Sequence, residues 1–497
     1  MKYFFSCILM VSSMLFCIGQ PAQVLPGFEF EKAELENQLR YIASDELAGR
    51  RTASPGERLA AEYIVSYFEK YGVSPAPGTD HFRQSIPFEK VIPPLSGTLT
   101  LGETVYQLGD NLLIMRGDQC GIKAEAVFAG HGWVDAETGM DDYSGLDVKG
   151  KVVFVLPGKP GEANPMETFK AMSVKREIAA GKGAVALIEL FRLNFPWPFF
   201  KSYFGKERLE MKGEQDPSTS PSIIYGWMKE SAPNPVKDME HGEKMTVSIE
   251  TSGVKVEETE AFNIVGMVEG SDPVLKDQYL LVSAHYDHIG TGKDGGQPYS
   301  PQDSIFNGAR DNGMGTVALM AAARAIAAHP PKRSVIFLAC TGEEMGLLGS
   351  LYYAEHPLLP LEKTVFNFNN DGAGYNSTEH VTVIGLEKTN ASPLLEKGAA
   401  AFNLTVVPDP APEQNLYERS DNASFANKGI PAIDYAPGIT AMNEDIFKYY
   451  HQAADNPDSI DYDYLLQFCK AFAFTAHLLA DWEGDFGWMP GQERARQ

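Results

Sequence analysis

The stretch from Tyr279 to Gly290 constrains the fold of this chain more than any other part of its sequence. It reads Tyr-Leu-Leu-Val-Ser-Ala-His-Tyr-Asp-His-Ile-Gly. The run that begins it is short and mostly apolar, which is typical of a buried β-strand. His285 and Asp287 follow directly, before a glycine-rich loop. Because open α/β sheets bind their ligands at the carboxyl ends of the strands, we expect a functional site here.

The 497-residue chain is longer than one hydrophobic core normally organises, which predicts two domains. Helical and strand-like patterns alternate in residues 24–85 and again in residues 260–485. Between them, in residues 86–259, short strand-like runs are separated by Gly, Pro and Asp turns. We therefore predict an α/β domain with a mixed central sheet flanked by helices, interrupted by an inserted, mostly β domain.

Residues 1–19 have the pattern of a secretory signal peptide. Lys2 precedes an apolar stretch, and Cys17 and Gly19 place smallish residues before a cleavage site after Gly19. A membrane anchor is less favoured because the apolar run is shorter than about 20 residues. A lipoprotein at Cys17 is also less favoured, because the residues before it are large. The sequence thus predicts a secreted or periplasmic protein without a stable membrane span after cleavage.

The composition argues against several classes of partner. The formal net charge is −24 and the sequence pI is near 4.9, so the surface repels nucleic acid and anionic lipid. Once the signal is removed, Cys120, Cys340 and Cys469 remain, which do not make a disulfide framework. We make no prediction of the oligomeric state.

Metal-binding side chains recur at or near the ends of the predicted strands. They are His285 and Asp287 after the first strand, Asp311 in a glycine turn, Glu343 and Glu344 after the next strand, Asp371 after a third, and His451 further along. A single residue of this kind is usually a turn or cap residue. All of them in this order predict a metal centre.

The donor types indicate which ions would bind. Catalytic zinc takes His nitrogen and carboxylate oxygen and leaves a position for water. Two ions about 4 Å apart share a carboxylate and can hold one hydroxide between them. His285, Asp311, Glu344, Asp371 and His451 supply one bridge and two further ligands for each ion. Glu343 is then free to act as general base, and Asp287 can orient His285. We predict two divalent metal ions, with Zn²⁺ preferred.

These motifs resemble peptidase family M28, the co-catalytic zinc aminopeptidases and carboxypeptidases. The matching pieces are His285-Tyr286-Asp287, Gly308-Ala309-Arg310-Asp311-Asn312, Glu343-Glu344, Asp371-Gly372 and Tyr450-His451. Residues 43–50 and 54–57 are similar to secreted members. Residues 130–132 and 147–153 are similar to a protease-associated domain. The resemblance spans nearly the whole mature chain and implies a zinc-exopeptidase-like fold, with residues 86–259 as a protease-associated-like insertion.

The resemblance also implies individual roles. His285 and Asp371 would hold one metal, Glu344 and His451 the other, and Asp311 would bridge them. Glu343 would be the general base and Asp287 the residue that orients His285. Tyr450 matches a tyrosine that hydrogen-bonds the oxyanion, and Arg419 lies in a loop on the substrate side. Many relatives have His where this chain has Asn422, so substrate specificity does not carry over.

We therefore expect a two-metal exopeptidase that acts on peptides, most simply an aminopeptidase. The alternatives are a carboxypeptidase or dipeptidase of the same family, a glutaminyl cyclase-like enzyme with one zinc, or a non-catalytic binding protein on a peptidase scaffold. His288 could be a sixth ligand, but the sequence favours a plain loop residue.

Overall fold

The structure is a computed structural model that describes residues 28–161, 165–194, 196–212, 223–230, 236, 244–292 and 299–494. The predicted signal peptide, residues 1–19, lies outside the described residues. Within those ranges, every helix is too short or too polar to cross a lipid bilayer.

The helices follow the capping and periodicity signals of the sequence. In the described residues they are α1 Lys32–Ile42, α2 Pro55–Lys70, α3 Pro165–Gly181, α4 Trp197–Phe204, α5 Met314–Ala328, α6 Leu348–Glu355, α7 Ser392–Ala400, α8 Asn422–Ala426, α9 Glu444–Phe447 and α10 Tyr462–Asp481. At the start of α2, Ser54 Oγ accepts the N–H of Glu57, and Pro55 occupies the first helical position. The first turn of α2 is therefore stabilised by its own sequence.

The strands are mostly short. They are β1 Ser74–Pro75, β2 Arg83–Ile92, β3 Gly97–Leu101, β4 Thr104–Gln107, β5 Leu112–Arg116, β6 Cys120–Phe128, β7 Val134–Asp135, β8 Met140–Asp141, β9 Val152–Val155, β10 Ala186–Leu190, β11 Arg208–Met211, β12 Ile224–Met228, β13 Lys244–Thr251, β14 Lys255–Val268, β15 Tyr279–His285, β16 Ser334–Cys340, β17 Thr364–Asn369, β18 His380–Ile384, β19 Thr405–Pro408 and β20 Ala432–Pro437.

The chain divides into two compact units. The first comprises residues 1–84 and 263–497, and the second comprises residues 85–262. The sequence places the corresponding boundaries at 85/86 and 259/260. The chain passes from one unit to the other within β2 and again within β14.

The first unit is built on a mixed sheet with the strand order β14-β16-β15-β17-β20-β18-β19. Strands β16, β15, β17 and β20 run parallel to one another. Strand β14 is antiparallel to β16, and β18 is antiparallel to β20 and parallel to β19. Every residue of β15 and β16 is buried, which explains their continuous apolar sequence. The predicted mixed α/β fold is confirmed.

The second unit consists mainly of strands. Its larger sheet has the order β4-β3-β13-β6-β9-β10-β12-β5, and β11 pairs with β2. Successive residues of β10 face different apolar clusters, Leu187 in one and Ile188 in the other. Trp197 and Phe200, on α4, pack into the same cluster as Leu187. The aromatic stretch of residues 191–204 thus contributes to the core of this unit.

Candidate metal centre

The register of the parallel strands places the predicted ligands at one edge of the sheet in the first unit. His285, the last residue of β15, lies opposite Cys340, the last residue of β16. Ser283 of β15 lies opposite Asn369, the last residue of β17. The segments that follow these strands, which carry Asp287, Glu343, Glu344 and Asp371, therefore leave the sheet at the same level.

One group of donors surrounds the ring of His285. Its Nε2 lies 3.1 Å from Oδ1 of Asp371 and 3.4 Å from Oδ1 of Asp311. Ligand atoms of these residues lie within 4.8 Å of one another, a spacing that could hold one metal ion. The structure thus brings together the three residues predicted for the first ion.

A second group lies on the other side of Asp311. His451 Nε2 is 3.2 Å from Oδ2 of Asp311 and 3.2 Å from Oε2 of Glu344. The oxygens of Asp311 therefore point in different directions, Oδ1 to His285 and Oδ2 to His451. A carboxylate that faces two separate donor groups has the arrangement required of a bridging ligand.

The electrostatics of the centre favour cations. Although burial lowers the pKa of His451, the carboxylates of Glu344 and Asp311 raise it to about 11. Burial likewise opposes protonation of His285, but Asp371 and Glu343 raise its pKa well above its usual value. Burial and Asp311 raise the pKa of Glu344, whereas His451 and His288 lower it to about 2. Positive charge is thus stabilised where metal ions would bind.

Glu343 differs from its neighbour Glu344. Burial raises the pKa of Glu343 well above the usual value, and the charges of Asp371 and Glu344 raise it further. Its backbone N–H donates to Asp287 Oδ1 over 3.2 Å. Glu343 is absent from the groups of described residues spaced to hold a metal ion. A partly buried carboxyl with a raised pKa beside a cation site is suited to proton transfer.

Asp287 is fully buried and lies behind His285. Its Oδ1 is 3.6 Å from Nδ1 of His285, longer than a hydrogen bond. Its Oδ2 accepts the hydroxyl of Thr52 at 2.8 Å. Nδ1 of His285 lies 3.3 Å from the backbone carbonyl oxygen of Asp287, and Thr52 and the Glu343 amide hold the Asp287 carboxylate. The orienting role of Asp287 stays a prediction.

Tyr450 and Arg419 form a pair next to His451. Arg419 Nη2 donates to the Tyr450 hydroxyl over 3.0 Å, and the Tyr450 ring packs on His451 with centroids 4.1 Å apart. Burial raises the pKa of Tyr450, so its hydroxyl keeps its proton. Asn422 is buried, and its side-chain N–H donates to the carbonyl of Tyr417.

Several buried groups that support the ligands have no predicted role. Asp434 accepts the N–H of Asp371 at 2.8 Å, and Asp455 accepts the N–H groups of Arg310 and Asp311. An acid inside the apolar run of β20 is a signal that could have identified Asp434. The fully buried Arg50 donates to the carbonyls of Tyr286, Asn307 and Gly308, a role that the sequence does not indicate.

Arg310 connects three parts of the centre. Its guanidinium lies between two aromatic rings, 4.3 Å from the centroid of Tyr375 and 3.9 Å from that of Tyr449. It also donates to the carbonyls of Tyr375 and Ser459. Arg310 thereby joins the Asp311 turn to the loops that carry Asp371 and His451.

The first unit thus has a mixed α/β fold, and two groups of metal-donor side chains lie at the ends of its parallel strands. These features define an α/β protein with a candidate binuclear metal centre. Residues 263–476 match the sequence profile of peptidase family M28. This part of the chain, which carries every predicted ligand, is therefore similar to peptidase family M28.

Individual relatives cover parts of the chain. It is 26% identical over 215 residues to "Aminopeptidase YwaD" of Bacillus subtilis, spanning 41% of this chain and 42% of that protein. It is 37% identical over 115 residues to "Vacuolar membrane protease" of Saccharomyces cerevisiae, spanning 23% of this chain and 10% of that protein. The chain thus spans less than half the length of these relatives.

A solved structure shares the fold. It is "Aminopeptidase from Aneurinibacillus sp. strain AM-1", with a TM-score of 0.54 and 20% identity, covering 92% of this chain and 95% of that chain.

Proposed function

We propose that this protein is a two-metal exopeptidase that releases the N-terminal residue of peptides. One observation carries the proposal: the oxygens of Asp311 face separate donor groups, with His285 and Asp371 on one side and His451 and Glu344 on the other. The names of the relatives in Bacillus and Aneurinibacillus, both aminopeptidases, agree with it.

The donor set fits zinc. Imidazole nitrogen and carboxylate oxygen are the donors of catalytic zinc sites, and the raised histidine pKa values show that positive charge is favoured here. His285 and Asp371 would hold one ion, Glu344 and His451 the other, and Asp311 would bridge them. When bound, such ions polarise the scissile carbonyl and increase the acidity of a water molecule.

Glu343 performs the proton transfers in this proposal. Its carboxylate takes a proton from the attacking water as the oxygen–carbon bond forms, and returns that proton to the amine as the carbon–nitrogen bond breaks. Burial and the neighbouring carboxylates of Asp371 and Glu344 hold the pKa of Glu343 high, which suits it to accept a proton and then release it. Asp287 accepts the Glu343 N–H and so helps to place this residue.

Tyr450 is proposed to stabilise the oxyanion. Its hydroxyl accepts a hydrogen bond from Arg419, which leaves its own proton free to be donated to a developing negative charge. The raised pKa of Tyr450 keeps that proton in place.

A carboxypeptidase or dipeptidase is the second candidate, and one observation favours it. Arg419 is solvent-exposed beside Tyr450 and could bind a peptide carboxylate. The carboxylate of Asp371, next to His285, instead favours the α-ammonium group of a peptide N-terminus.

The substrate proposal is tested with matched dipeptides and tripeptides that are free, amino-blocked or carboxyl-blocked. An aminopeptidase cleaves the carboxyl-blocked peptides and not the amino-blocked ones, and chelator abolishes the release. The reverse preference would establish the carboxypeptidase. Elemental analysis should give two zinc ions per chain. One ion would favour the glutaminyl cyclase-like enzyme, and absence of turnover with intact metal would favour a binding protein.

Export and the nature of the inserted unit are further parts of the proposal. We infer that residues 1–19 direct secretion and that residues 86–259 form a protease-associated-like domain. Mass spectrometry of the exported protein should find a mature N-terminus at Gln20.

A further inference from the structure

His288 lies inside the second donor group, although the sequence favours a plain loop role for it. Its side chain is fully buried, and its Nδ1 lies 2.7 Å from Oε1 of Glu344. Among the described residues, neither ring nitrogen of His288 nor this oxygen has a hydrogen-bond partner of acceptable geometry. Because buried polar atoms normally have partners, this group of atoms requires another explanation.

The surroundings hold the imidazole in this position. The backbone N–H of His288 donates to the carbonyl of Arg50 over 3.2 Å. The ring occupies space beside Gly308, where a Cβ atom would lie 2.5 Å from Cδ2 of His288. Gly308 has a φ of +57°, so the absence of a side chain permits both its backbone conformation and the close packing of the ring. The position of His288 is thus set by the fold.

The donor atoms nearby have the spacing of metal ligands. His288, Asp311 and Glu344 offer ligand atoms that all lie within 4.8 Å of one another. The rings of His288 and His451 are 5.9 Å apart between centroids and nearly perpendicular, at 71°. Since His451 contacts the same carboxylates, both imidazoles face one group of carboxylate oxygens.

We propose that His288 is a protein ligand of the second metal ion, together with Asp311, Glu344 and His451. This inference rests on the proposed two-metal function and goes beyond it, because it gives the two metal positions different numbers of imidazole ligands. The first ion has one imidazole, from His285, whereas the second has two. A site with an additional neutral nitrogen donor holds its ion more tightly, so the second position fills first.

The direct test counts imidazoles on each ion. Full-length protein is loaded with ¹¹³Cd, and proton–cadmium correlation NMR detects couplings from each ion to the ring protons of its histidine ligands. The expected spectrum shows one cadmium coupled to a single imidazole and another coupled to two. One imidazole on each of two cadmium ions would overturn the proposal, even if His288 affects the centre in other ways.

Two variants complete the test. His288→Phe keeps the ring volume without a donor, and His288→Gln keeps a polar group. We expect both to lose one imidazole coupling and to bind the second ion about tenfold more weakly or worse, as measured by chelator competition. His380→Gln is the control, because His380 bonds to Ser377 and has no contact with the predicted ligands.

The outcomes separate this inference from the function on which it rests. If the wild-type protein binds two ions and cleaves peptides, but His288→Phe binds both ions as tightly, only the ligand assignment of His288 is wrong. If the wild-type protein binds no metal, the proposed function fails, and the inference fails with it.

Discussion

Replacing each of two adjacent glutamates by its amide separates proton transfer from metal binding. Glu343→Gln and Glu344→Gln are the same chemical change at adjacent positions, yet the structure gives the two side chains different surroundings. Glu344 Oε2 contacts His451 at 3.2 Å, whereas Glu343 lies outside the donor groups of the described residues. The same chemical change should therefore have different consequences at the two positions.

The two substitutions should change different quantities, the activation free energy for Glu343→Gln and the stability of the fold for Glu344→Gln. Glu343→Gln removes the proton acceptor, and general acid–base catalysis contributes about 10²- to 10⁴-fold, equivalent to about 3–5 kcal/mol in the activation free energy. Glu344→Gln removes a ligand and a buried charge. A pKa lowered from 4.5 to about 2 corresponds to about 3 kcal/mol of stability in the metal-free protein near neutral pH. That contribution is present above pH 4.5 and is lost as the pH falls through about 2.

The assay combines three measurements on each variant. They are peptide turnover with saturating zinc, the metal content after dialysis, and urea unfolding in the presence of chelator. Glu343→Gln should keep both ions and its stability but lose turnover. Glu343 lies outside the donor groups of the described residues, and burial together with Asp371 and Glu344 raises its pKa, so an amide of the same size should be tolerated. Glu344→Gln should lose an ion and unfold at lower urea concentration. Full turnover by Glu343→Gln, or unchanged metal content in Glu344→Gln, would refute this reasoning.

Three further predictions follow from the same geometry. Because neighbouring carboxylates raise the pKa values of His285 and His451, metal binding should release protons, and metal affinity should rise with pH. Calorimetry in buffers of different ionisation enthalpy measures this release, and binding without it would contradict the assignment. Replacing Arg310 by Lys should weaken its contacts with both tyrosine rings and lower the unfolding free energy by about 1–2 kcal/mol in urea titrations, whereas an unchanged midpoint would show that the ring contacts contribute little. Gly308→Ala should destabilise the metal-free protein by more than about 1 kcal/mol, because the added Cβ would overlap the carbonyl of Asp311 and the His288 ring. Gly346→Ala is the control, since the φ of Gly346 is also positive but a Cβ there would meet no neighbouring atom.

Much of the fold could be predicted from local patterns. The apolar runs of β15 and β16 identify buried parallel strands, and the cap at Ser54 identifies the start of α2. These signals depend on neighbouring residues, so they can be read along the chain. The contacts of Arg50 with carbonyls more than two hundred residues away leave no such local pattern, and its burial was not predicted.

The residues of the site likewise differ in whether a local sequence pattern identifies them. Four of the five predicted ligands could be identified because each lies at a predicted strand end or in a turn, and strand ends of a parallel sheet meet at one edge. His451 was identified from its place in the order of these residues and from the Tyr450-His451 motif. Asp434 and Asp455 were not assigned roles, because their function is to accept N–H groups of segments distant in sequence. His288 was expected to be a loop residue, since only the packing beside Gly308 places its ring against Glu344.

The amino-acid sequence by itself determined the types of donor and their order along the chain, because residue type sets the chemistry and periodicity sets the strands and helices. Only the tertiary structure decided which oxygen of Asp311 faces which histidine, and that the ring of His288 lies against Glu344. The physical reason is that coordination depends on distances of a few ångströms between side chains. Those distances are set by strand register and by packing between segments that are far apart in the chain.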